Sequence, residues 1–290
     1  MLKNVNTIGI IALSGNCDRE KVLNSKLFFE NLGYKVKLSK NIFDSNNYLA
    51  GHDKDKLEEL HAFFENPEID LIIASRGGYG AIRLINNIDY NLIKNNPKPI
   101  CGFSDFTAIL AMIYKKTGMI TYHAPMACTD FLTQTDNNLT DTQTNFFKTL
   151  NEEINSYNAD KVYNNRMAEG VLFGGNLSTI VSLCGLDFIP DENFIFFTED
   201  INEPVYKIDK MFQQLFNIEK FRANCKGIVL GEFSGVNNKK WLEDYFEDLA
   251  NKLNMPIIEI LKITHSEDKI TLPIGAKSCI KNSILTFSLK

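Results

Sequence analysis

The chain opens as an alternation. Short apolar runs end in small polar turns, and amphipathic stretches separate them. "TIGIIAL" runs into "SGN", "IDLIIAS" into "RGGYG", "KPICG" into "FSD", and "ITY" into "HAPM". The intervening "DREKVLNSKLFFENLG" repeats Val22, Leu23, Leu27, Phe28 and Leu32 at helical spacing, with Gly33 as its stop. "DKDKLEELHAFFENP" places Leu57, Leu60, Phe63 and Phe64 on one stripe, and "AIRLINNI" and "DFTAILAMIYKKTG" read as further helices. With "YKVKLS" as one more strand, the pattern predicts a mainly parallel sheet covered by helices on both faces, flavodoxin- or Rossmann-like. Such sheets bind ligands at the carboxyl ends of their strands, which is where all four turns fall.

From residue 131 to 166 the texture becomes polar and rich in Asn and Thr, with a helix around "TNFFKTLN". The expected organisation is an N-terminal α/β domain over 1–150, a linker over 151–166 and a smaller C-terminal α/β domain over 167–290. The latter has strands at "EGVLFGG", "NFIFFTE", "CKGIVLGEF" and "KITLPIGA", and helices at "LSTIVSLCG", "PVYKIDKMFQQLFNI" and "KKWLEDYFEDLANKL". "SILTFSL" is expected to close a twisted, barrel-like sheet.

Composition narrows the function. A net charge of −5 without a dense basic block argues against a nucleic-acid partner. "IGIIAL" is too short for a signal peptide or a membrane span, so no membrane partner and a cytoplasmic location are expected. The six cysteines form no CxxC pair and read as buried thiols rather than a metal or disulfide framework. "GGYGAIR" is neither a Walker sequence nor Gly-x-Gly-x-x-Gly, so no cofactor is expected.

Ser104 follows an apolar strand and precedes a helix, a place where a tight turn can push a hydroxyl outward. The N–H of Asp105 would then lie at the helix start, where it can stabilise an oxyanion. Read alone, "CGFSDF" favours a helix cap. The glycines of "RGGYG" can present N–H groups to an anion, and Arg76 can grip a carboxylate. His123 and His265 are the histidines best placed for a site, whereas His52 and His61 read as surface residues. Glu199, at the end of "FIFFTE", can orient a histidine, and adjacent Asp200 should point the other way.

The ordered series "RGGYG", "GFSD", "HAPM", "GGNLS", "TEDINEPVYKIDK", "GIVLGEF" and "THSEDKITLPIG" resembles the LD-carboxypeptidase family of serine peptidases, which includes the microcin-immunity hydrolases. The resemblance implies a nucleophile at Ser104, an acid at Glu199 and a base at His265. It also implies an oxyanion hole from the N–H groups of Asp105 and Gly78. The implied substrate is a muropeptide or small peptide-like molecule, cut before a terminal D-alanine, and the implied assembly is a homodimer. Arg76, Tyr79 and His123 are the candidate substrate-binding residues, with Tyr79 and Phe131 as possible stackers for an aminoacyl-nucleotide substrate. A non-catalytic small-ligand-binding protein is the alternative of another class. Thr264 stands where the family commonly has Gly, and "HAPM" where it commonly has His-Gly-Pro-Met, departures that leave the implied triad intact.

Overall fold

The computed structural model describes residues 1–132 and 138–289; residues 133–137 of the polar connection lie outside them. The first half carries β1 (Thr7–Ile11), α1 (Arg19–Asn31), β2 (Lys35–Leu38), α2 (Asp53–Glu65), β3 (Leu71–Ala74), α3 (Tyr90–Asn95), β4 (Ile100–Gly102), α4 (Thr107–Thr117), β5 (Thr121–His123), α5 (Ala127–Asp130) and α6 (Asp141–Leu150). The rest supplies β6 (Ser156–Asn158), β7 (Lys161–Asn164), β8 (Ala168–Asn176), α7 (Leu177–Ser182), β9 (Phe194–Ile201), α8 (Val205–Asn217), α9 (Glu219–Asn224), β10 (Cys225–Ser234) and α10 (Lys239–Lys252). It ends with β11 (Ile257–Glu259), β12 (Leu272–Ile274), β13 (Lys277–Lys281) and β14 (Ile284–Ser288). The chain is thus mixed α/β on two sheets.

The first sheet has the order β12-β5-β4-β3-β1-β2, and β1 to β5 are mutually parallel. Its central strands are buried on both sides, which explains their unbroken apolar runs. One face packs Val22, Phe28 and Phe29 of α1 and Phe146 and Phe147 of α6 against Ile8, Ile10 and Ile73. The other packs α2 and α4 against Ile11, Ile72 and Ile100, and its apolar cluster continues into Leu172, Phe173 and Leu177 of the second half. Helix α4 is buried from Thr107 to Tyr114, so it lies between the two sheets and ends at Gly118 in a left-handed cap.

Three details depart from the sequence pattern. Leu23 and Leu27 are 46% and 49% exposed, because α1 buries Val22, Ser25, Phe28 and Phe29 instead. "AIRLINNI" forms only a 3-10 turn, Ala81–Arg83, before Asp89 caps α3 through the N–H of Leu92. Asn86 and Asn87 sit in the intervening turn, where their side chains compete with helical hydrogen bonding. Finally, "KITLPIGA" was expected in the second unit, but its β12 pairs antiparallel with β5 in the first sheet.

The second sheet runs β6-β14-β13-β8-β9-β10-β11-β7. β14 therefore does not close it; β6, from the polar connection, lies outside β14. β6 and β7 occupy opposite edges yet are joined by Ala159 and Asp160 alone, whose N–H groups bond to Ser283 and Glu259. A link that short requires the sheet to curl until its edges stand close together. Among the described residues, no helix is long and apolar enough to cross a membrane.

Candidate active site

Ser104 occupies the turn between β4 and α4 at φ 61°. That left-handed conformation costs a side-chain-bearing residue on the order of 1 kcal/mol, so it persists only where packing enforces it. Gly77 leaves room for it: a Cβ there would lie 2.8 Å from Ser104 Cβ and 2.9 Å from its Oγ. The glycine loop of "RGGYG" is thus pressed against the hydroxyl, which only a residue without a side chain allows. Asp105 does not cap its own helix; its carboxylate accepts from the N–H of Ala81 at 2.9 Å.

The second half contributes a hydrogen-bonded pair. Nδ1 of His265 bonds to Oε2 of Glu199, which is wholly buried at the end of β9. Glu232 on β10 anchors both neighbours of His265, accepting from Thr264 Oγ1 and from Ser266 Oγ at 3.1 Å. Burial pushes the Glu199 carboxyl upward, partly offset by the bond and charge of His265. Burial also disfavours the charged His265 imidazolium, but the hydrogen bond and charge of Glu199 outweigh it and hold the ring above its usual range. Asp200, on the opposite side of the strand, accepts from Asn176 Nδ2 at 2.9 Å and from the N–H of Ser178 at 2.8 Å.

The halves meet at α4. A Cβ on Gly175 would lie 2.5 Å from Cγ2 of Thr107, and the Asn176 N–H reaches Thr107 Oγ1 at 3.3 Å. Ser104 and His265 consequently line one cavity of about 310 Å³ with Arg76, Gly77, Gly78, Phe103, Asp130 and Lys269. Among the described residues the Ser104 hydroxyl has no hydrogen-bond partner, and catalytic contacts often tighten only when substrate is bound. Phe103 packs edge-on against the His265 ring at 5.0 Å, and the Lys269 ammonium lies 5.1 Å from the centre of the Phe103 ring. Lys269 is ion-paired with Asp130. Arg76 donates to the carbonyls of Gly77 and Asn16 and, among the described residues, has no carboxylate partner.

Of the remaining candidates, Gly78 lines the cavity at φ 112° and Tyr79 is 45% exposed beside Tyr48. His123 does not line this cavity. It is 2% exposed between Phe103 and Phe197, and burial pushes its imidazole down to about 3. Phe131 is likewise not an exposed stacker: it is fully buried among Phe28, Phe29, Phe146 and Phe147. Lys269 and Glu232 were missed in the sequence. Both sit in the quoted motifs "THSEDK" and "GEF", but a charge on a turn or strand end is ordinary unless the fold brings it to a cavity.

Comparison with known proteins gives concordant results. The family model for the LD-carboxypeptidase N-terminal domain matches residues 8–124, and that for the C-terminal domain matches residues 169–280. The chain is 34% identical to a probable murein peptide carboxypeptidase of Bacillus subtilis, over 97% of this chain and 91% of that protein. It is 28% identical to the microcin C7 self-immunity protein MccF of Escherichia coli, over 87% of this chain and 83% of the other. Among solved structures, a muramoyltetrapeptide carboxypeptidase from Oxalobacter formigenes superposes with a TM-score of 0.86 at 27% identity, covering 97% of each chain.

Proposed function

The chain belongs to the LD-carboxypeptidase family and is a serine-type carboxypeptidase, and on that premise we propose that it removes a terminal D-amino acid from murein peptides through Ser104, His265 and Glu199. The observation that carries this reading is the buried Glu199–His265 hydrogen bond opening onto the cavity that holds Ser104. Glu199 fixes the proton on Nδ1 of His265, leaving Nε2 to take the proton of Ser104 as the hydroxyl attacks the carbonyl carbon. The N–H groups of Asp105 and Gly78 receive the developing oxyanion. Collapse returns the proton from His265 to the departing amine, and water repeats the sequence on the acyl-enzyme. Arg76 suits the terminal carboxylate better than Lys269, whose charge Asp130 already offsets. The reading places the reaction in the cytoplasm and, on the strength of the family resemblance, makes the working unit a homodimer.

The test is release of D-alanine from a muramoyl tetrapeptide by the wild type and by Ser104→Ala. Turnover by the wild type and none by the variant is expected; equal turnover would remove Ser104 as nucleophile. The exposed Tyr48–Tyr79 pair beside the glycine loop favours a second reading, hydrolysis of an aminoacyl nucleotide resembling the ligands of MccF structures. Parallel assays with aspartyl sulfamoyl adenosine separate the two.

A further inference from the structure

The Asp105 carboxylate has a role that its backbone does not exhaust. Asp105 is 8% exposed, and its Oδ2 accepts from Ala81 across 24 residues of chain. Ala81 closes the glycine loop and opens the following 3-10 turn. At its other end the loop is held through the Gly77 carbonyl, which accepts from the N–H of Gly15 at 3.2 Å and from Arg76 Nε at 3.2 Å. Between these ties lie Gly78 at φ 112° and Gly80 at φ 136°, positions where the backbone has little preference of its own. The direction of the Gly78 N–H is therefore set by where the two ends are fastened.

We propose that Asp105 is a positioning residue that registers the two halves of the oxyanion hole. Its own N–H is one donor, and its carboxylate fixes the loop that carries the other. This rests on the serine-hydrolase reading above. The geometry is economical, because Asp105 directly follows Ser104, and Gly77 is in contact with Ser104 itself. Any shift of the loop relative to the nucleophile must stretch the Asp105–Ala81 bond. The bond is thus placed to align the donors from behind, since neither Asp105 nor Ala81 lines the cavity.

The experiment compares Asp105→Ala, Asp105→Leu and Asp105→Asn. Alanine and leucine have no acceptor; leucine fills the space and serves if the alanine variant folds poorly. Asparagine keeps an oxygen that can accept from Ala81. Expected are a fall in kcat of about 100-fold for Ala and Leu with KM within about threefold, and recovery of most of that loss in Asn. Affinity for a peptidyl boronic acid, which mimics the tetrahedral oxyanion, should fall in step with kcat/KM, while affinity for the tripeptide product stays unchanged. Active sites titrated with a fluorophosphonate normalise for misfolded protein. Three results would overturn the proposal: kcat unchanged per active site in Ala and Leu, Asn as impaired as Ala, or equal losses of product and boronate affinity. Failure of the parent reading is separate, since it appears as turnover by Ser104→Ala in the same assay.

Discussion

Replacing Glu199 by Gln tests the acid–base pair most directly. Glu199 is fully buried, so its charge acts on His265 without solvent screening. The exchange removes a charge-assisted hydrogen bond, worth about 1.5–3 kcal/mol. It also offers an amide donor to Nδ1, which favours the tautomer with the proton on Nε2 and so blocks acceptance from Ser104. An acid-to-amide exchange behind a catalytic histidine costs about 10⁴ in kcat, so a loss of 10³–10⁴, roughly 4–5.5 kcal/mol of barrier, is expected here. The pH profile supplies the second reading. His265 must be neutral to act as base, and it is held above the ordinary imidazole value of about 6.5 because Glu199 outweighs the burial penalty. In the wild type kcat/KM should therefore climb with pH through a limb above 6.5. In Glu199→Gln burial remains and the opposing carboxylate does not, so the residual limb should move below 6.5. The measurement is initial-rate D-alanine release between pH 5 and 9 in both proteins, with circular dichroism as the check on folding. A loss of less than tenfold, or a limb that stays in place, refutes the assignment of Glu199.

The remaining predictions concern the frame around the site. Ser104→Gly relieves the φ 61° strain that Ser104→Ala retains, so urea unfolding should find the glycine variant more stable by about 1 kcal/mol, with both lacking turnover; an alanine variant of equal or greater stability argues against strain. The Cys17 thiol is drawn down to about 7 by a hydrogen bond with Cys128, against a burial penalty and with help from Ser75 and Arg76. Iodoacetamide at neutral pH should alkylate Cys17 before the other cysteines, as read by peptide mass spectrometry, and Cys128→Ala should slow it. A fragment of residues 1–166 lacks β12 and exposes the apolar flank of α4, so its urea titration should show no cooperative transition; a sharp transition would mean that the first half folds on its own.

What the sequence made legible were features in which local pattern and function coincide. The strand ends at "RGGYG", "FSD" and "TED" could be placed because an apolar run followed by a small-residue turn has few other interpretations in a parallel sheet. That Asp200 turns away from Glu199 was readable because neighbours on a strand face opposite ways. The errors arose where a residue's environment is made by distant chain. Phe131 sits in a polar stretch, and only the packing of α1 and α6 around it shows that it belongs to the core. His123 ends β5 much as Ser104 follows β4, but Phe197 from β9 covers it, and β9 is some 70 residues away. β12 is the strongest case. Three apolar residues carry no label for the sheet they join, and their pairing with β5 requires the chain to return after building most of the second sheet. That return bears on the candidate site as well as the architecture. His265 lies seven residues before β12, so the strand that completes the sheet bearing Ser104 also tethers the turn that carries His265. Ser104 meets its glycine loop at Gly77, 27 residues away along the chain, and shares a cavity with His265 through the packing of β12 and α4. The site is consequently a property of the interface between the sheets, and its geometry depends on the same buried contacts that hold them together.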